Sequence, residues 1–172
     1  GPGGFANLQL AFDSPLVAPG DIVLVRPGTY VGAVLRKGLV VRADPGAVLS
    51  GLTFLPPERL RIEAVAAPEQ VVIAGFQLDS GYVSVADCTG LVVLENIDAV
   101  QPANPNTYYP SLAVEVARCA WVSLTRLQAR GRSVSLAGSN VLVDECHIES
   151  LDGYSGLSFR PSGGPGIGVQ QC

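Results

Sequence analysis

A six-residue phrase, apolar at its first and third positions and usually small or neutral at its sixth, recurs through the middle of this chain. It reads Val83-Ser-Val85-Ala-Asp-Cys88, Val114-Glu-Val116-Ala-Arg-Cys119 and Val134-Ser-Leu136-Ala-Gly-Ser139 in one version. A second version reads Leu91-Val-Val93-Leu-Glu-Asn96, Val122-Ser-Leu124-Thr-Arg-Leu127 and Val141-Leu-Val143-Asp-Glu-Cys146. Alternation with period two marks a short strand with one buried face, and the sixth residue turns inward again after a bend. The first version starts at Leu39, Leu60, Val83, Val114, Val134 and Ile167, the second at Val71, Leu91, Val122 and Val141. A self-similar period of about 20 residues predicts a solenoid whose coils bury their faces on one another. Leucine-rich repeats share that period but need a Leu-x-x-Leu-x-Leu frame that is missing here. An antiparallel sandwich is the competing arrangement, and Asn-Gly hairpin turns are absent from the sequence.

The opening stretch Asp21-Ile-Val-Leu-Val-Arg-Pro-Gly-Thr-Tyr30 resembles the first coil of right-handed parallel β-helix proteins of the pectate-lyase-like superfamily. Ser139-Asn-Val141-Leu-Val143 is similar to their later coils. The resemblance covers residues 5–172 and implies an all-β fold, a right-handed parallel β-helix of about seven coils. One domain is expected over residues 1–172, with a cap over 1–18 and coils over 19–172. Within the cap, Phe5, Leu8, Ala11 and Phe12 recur at helical spacing, which predicts a short amphipathic helix closing the lower end of the core. The final stretch Ile167-Gly-Val169-Gln-Gln-Cys172 reads as a coil begun and not completed, so a longer parent chain is expected, with docking of that open coil on another chain as the alternative.

The fold hosts many activities, so function has to come from particular residues. The Asn-Thr-Asp, Gly-His-Gly and Arg-Ile-Lys phrases of polygalacturonase-like chains are absent, as is the Asp-Pro-His-Asp of alginate epimerase-like chains. No catalytic residue is carried over from the resemblance. Asp144, Glu145, His147, Glu149 and Asp152 could serve acid–base chemistry, but charges beside turns ordinarily face water. No metal or cofactor is expected: no Cys-x-x-Cys occurs and His147 is the sole histidine. Cys88, Cys119 and Cys172 take the sixth position of the first phrase, and Cys146 that of the second. Buried thiols filling the core are expected there, with a Cys88–Cys119 disulfide within geometric reach.

Two coils exceed the basic period, by insertions over 99–112 and 149–166 that leave at the same point of the coil. Solenoids place such loops on one side, often the binding side. A cleft between them would hold Tyr108, Tyr109, Tyr154 and Phe159 with Arg130, Arg132 and Arg160. Aromatic faces pack on sugar rings and the guanidinium fork grips carboxylates, which suits a polysaccharide, acidic ones included. The alternative is that these aromatics only anchor the loops. The net charge of −4 and the lack of a basic stripe argue against nucleic acid, and no run of 18 apolar residues exists to enter a membrane. Self-association is expected through the open final coil or an apolar strip of Val72, Val92, Leu94 and Leu142.

The functional expectation is a non-catalytic β-helical module of a secreted or surface protein, located extracellularly or in the cell envelope. It would bind carbohydrate or act as a rigid spacer. The alternatives are a fragment of a polysaccharide lyase, hydrolase or epimerase, and a module that assembles end to end.

Overall fold

The computed structural model describes residues 4–50, 59–79, 81–99, 112–149, 157–160 and 167–170, the last two segments as backbone strands. Every strand pairing among them is parallel, and there is one short helix, an all-β arrangement compatible with a solenoid. The first sheet has six strands, running Val34–Leu35, Leu60–Glu63, Val83–Ala86, Leu112–Ala117, Ser133–Ala137 and Leu157–Arg160. The second has seven: Ile22–Val25, Val40–Ala43, Gln70–Ala74, Leu91–Glu95, Trp121–Thr125, Val141–Asp144 and Ile167–Gln170.

A third face was not expected from the phrases. Gly28–Tyr30, Ala47–Leu49 and Gln77–Leu78 pair in one piece, and Gln128–Arg130 pairs with His147–Glu149 in another. Single bridges from Gln77 to Asp98 and from Asp98 to Gln128 join the two pieces. Each full circuit therefore visits three sheets, and the chain turns between them at tight bends.

Those bends explain the sixth position. First-sheet strands are followed directly by Ala64, Asp87 and Arg118, and second-sheet strands by Asn96, Arg126 and Glu145, all with φ between 51° and 55°. One left-handed residue turns the chain so that the next side chain re-enters the core. Two inward columns result, Val65–Cys88–Cys119–Ser139 and Phe76–Ile97–Leu127–Cys146, all buried. Backbone bonds continue around the bends, from Asp87 N to Ala117 O (3.1 Å) and from Arg118 N to Ala137 O (3.0 Å). The corners thus stay hydrogen-bonded from coil to coil rather than leaving polar groups stranded.

Between the columns the sheets contribute apolar rows such as Ile62, Val85, Val116 and Leu136, each essentially inaccessible to water. Burying a side chain of that size contributes about 2 kcal/mol. The core is one continuous cluster from Leu8 to Cys146.

The helix spans Leu8–Asp13, with the Asn7 side chain accepting from Leu10 N (2.8 Å) as its N-cap. Leu8, Ala11 and Phe12 are buried against the lowest coil, as the spacing predicted, whereas Phe5 is exposed. Gln9 adds a polar closure. Val34 N donates to Gln9 Oε1 (2.8 Å), and Gln9 Nε2 donates to Val34 O (3.2 Å). One amide side chain thereby takes the place of a neighbouring strand at the open edge.

Three assignments from the sequence change. The phrases at Leu39 and Ile167 belong to the second sheet, not the first. The phrase at Leu91 is shifted by one residue, because Val92 and not Leu91 stands beside Val71 and Val122. Val92 and Leu94 are consequently buried, so they cannot form an outward strip with Val72 and Leu142. A one-residue slip exchanges the two faces of a strand.

Candidate functional site

The third face carries a row of four polar groups among the described residues. Its outward row follows immediately after the inward column of bends: Gln77 after Phe76, Asp98 after Ile97, Gln128 after Leu127 and His147 after Cys146. Register places these four side by side, with Val48 preceding Gln77. Neighbouring strands lie ~4.8 Å apart, so the row repeats a hydrogen-bonding group at that interval along the molecule. Gln77, Gln128 and His147 are exposed, and Asp98 is half-buried.

A hollow of about 360 Å³ opens in this face, lined by Val48, Gln77, Leu78, Asp79 and Asp98. Asp98 Oδ1 is shielded from water there without a hydrogen-bond partner. An acceptor left unmatched in this way is costly. The outer rim adds Asp79, which accepts from Ser50 Oγ (3.4 Å), and the Arg130–Glu149 pair (3.4 Å). His147 Nε2 stands 3.6 Å from the same Glu149 oxygen. Among the described residues no group of three or more His, Cys, Asp and Glu could hold a metal ion.

The sequence-derived cleft fares unevenly. Tyr108, Tyr109 and Tyr154 lie outside the described residues. Phe159 and Arg160 lie on the strand Leu157–Arg160, beside Leu136 and Ala137, with their side chains outside what is described. The stretch 99–112 does connect the third sheet to the first, after Asp98, but 149–166 is not one insertion: it contains the first-sheet strand Leu157–Arg160 and leads on to the second-sheet strand Ile167–Gln170. Arg130 is exposed on the third face, already paired with Glu149.

Arg132 is a correction. It is 3% exposed and cannot reach a ligand from the surface. Its Nη1 donates to Leu78 O (3.1 Å), and Nη2 donates to Leu112 O (2.8 Å) and to Gly81 O. These carbonyls belong to passages from the third sheet to the first in successive coils, so the guanidinium ties three turns together. Burial lowers its pKa to about 10, still well above neutrality.

The row Gln77–Asp98–Gln128–His147 was missed because strands of two or three residues show no alternation. Its signal was the constant place one residue after each inward bend. Comparison with family models, with curated proteins and with solved structures finds no match to this chain.

Proposed function

We propose that this chain is a right-handed parallel β-helix of the pectate-lyase-like kind, serving as a carbohydrate-binding module of a secreted or surface protein. The third face is its binding bed. The observation that carries this reading is the hollow beside Gln77 and Asp98, continuing along the same row into Gln128 and His147. Amides, carboxylates and imidazole together offer the mixed donors and acceptors that sugar hydroxyls require. A rigid row at coil spacing is organised before binding, which saves the ordering entropy a loop would lose.

The charges favour a neutral chain over a polyuronate. Arg132 is committed to three backbone carbonyls and Arg130 to Glu149, while Asp79 and Asp98 face the hollow. Calorimetry against soluble neutral glucans and xylans, with polygalacturonate as the comparison, tests the reading. Binding of a neutral polymer that weakens at least about tenfold in a Gln77→Ala/Gln128→Ala double variant supports it. Silence from every polymer, or affinity indifferent to the double variant, overturns it and leaves a rigid spacer.

A further inference from the structure

The second sheet presents an apolar outward face to water. Cross-strand register aligns Ile22, Val40, Val72, Val93, Ser123 and Leu142 in one outward row. Ile22 is 62% exposed and Leu142 40% exposed. Leu91 and Trp121 stand side by side two residues upstream, at 40% and 61%. Two residues downstream the next row runs Leu24, Arg42, Ala74, Glu95, Thr125 and Asp144. Isolated surface apolar groups are ordinary, but a continuous in-register patch marks a contact surface.

The charges in the second row identify the occupant. Glu95 is held by Arg126, whereas Arg42 and Asp144 have no ion-pair partner among the described residues. Leu91–Glu95 is the middle of the seven strands, with Arg42 two strands to one side of it and Asp144 two strands to the other. We infer that a second copy of this chain packs face to face on this sheet, about a two-fold axis parallel to the strands and lying over Leu91–Glu95, midway between the two sheets. Such an axis reverses strand order and keeps position along the strand. It sets Arg42 against the Asp144 position of the second copy, twice, and Val40 against the Leu142 position. Leu91 and Val93 meet their own counterparts, and so does Glu95, whose charge Arg126 neutralises within each copy. Facing sheets stack about 10 Å apart, a gap that an Arg–Asp pair can bridge.

The self-complementary arrangement of rows is what an isologous interface requires. The six strands from Ile22–Val25 to Val141–Asp144 span five gaps of ~4.8 Å, and five residues span four steps of ~3.3 Å, a footprint of about 24 by 13 Å. That is small, so the dimer is weak and concentration-dependent.

Sedimentation equilibrium of the full chain across roughly 10 μM to 1 mM, read beside Trp121 emission, tests the inference. The expected result is a monomer–dimer equilibrium in which the emission of the sole tryptophan shifts to the blue as dimer forms. Arg42→Asp and Asp144→Arg should each weaken the dimer about tenfold, and the combined swap should restore it to within about threefold. Val93→Arg should abolish it, with far-ultraviolet dichroism and melting temperature confirming that a substitution at this half-buried, outward-facing position leaves the fold intact. A monomer at every concentration overturns the inference. So does a dimer in which the two charge reversals add rather than rescue.

Discussion

Arg132 donates from Nη1 to the carbonyl of Leu78, 54 residues earlier in the chain and buried beneath the passage between the third and first sheets. Its other bonds, to Gly81 and Leu112, occupy the far side of the fork. Only a planar, multi-donor cation satisfies three carbonyls at once.

Arg132→Ala should therefore destabilise the fold by about 3 kcal/mol or more, since three buried acceptors lose their donors. Arg132→Lys should fall between the two, because one ammonium cannot reach all three oxygens. Urea unfolding of the three proteins measures this. Equal midpoints for the parent and Arg132→Lys would show that the fork itself is unimportant.

At the corner below, Arg118 Nε and Nη2 donate to the Asp87 carboxylate at 2.6 and 2.8 Å. These bonds hold the Asp87 pKa below its ordinary value, 3.8. A carboxylate depressed on folding adds stability above its unfolded pKa, and that stability is lost as pH falls through the folded value. Carboxyl titration by NMR should find Asp87 low, and Arg118→Ala should return it towards 3.8. Both groups are solvent-exposed, so high salt should shrink the difference.

Cys88 and Cys119 stack in adjacent coils, each thiol donating to a carbonyl of its own bend, Cys88 to Ala86 (3.2 Å) and Cys119 to Ala117 (3.3 Å). The interaction between the two side chains holds the Cys119 thiol below its ordinary pKa while Cys88 is pushed up. Both side chains are buried. Alkylation of the native protein should be slow at both positions, with Cys119 reacting first. Thiolate character sets the rate once access is granted. Cys88→Ala should raise the Cys119 pKa. A pH–rate profile for Cys119 unmoved by that substitution would contradict the pairing.

Ala64 and Gly75 occupy equivalent left-handed corners, at φ 55° and 85°. Ala64→Gly should stabilise by up to about 1 kcal/mol, relieving the clash of Cβ with the following carbonyl. Gly75→Ala should lose about 2 kcal/mol or more, because a Cβ there would stand 2.4 Å from the Ala43 carbonyl oxygen. Thermal unfolding of both variants checks the opposite signs.

The sequence made two of the three sheets legible, because strands of four or more residues show their alternation. Phase failed where it was least constrained. Leu91-Val-Val-Leu is apolar throughout, so alternation alone could not say which pair faces inward. Counting back from the bend would have decided it: Val92 lies four residues before Asn96, as Val122 does before Arg126 and Val141 before Glu145. The candidate site was harder to see. Its residues come singly from distant coils and meet only through the stacking, and Arg132 gave no hint in its neighbours that it would be interior. The charged pair Arg118–Asp87 was likewise invisible, since the two lie 31 positions apart.

The corner bonds that pass from each turn to the next give the molecule a preferred direction of failure. Each coil leans only on those above and below, so opening should begin at either end and move inward one turn at a time. Amide exchange should consequently form a gradient, slowest around Val92 and Val122 and faster towards Ile22. Damage at one level would be felt by adjoining levels and fade beyond them.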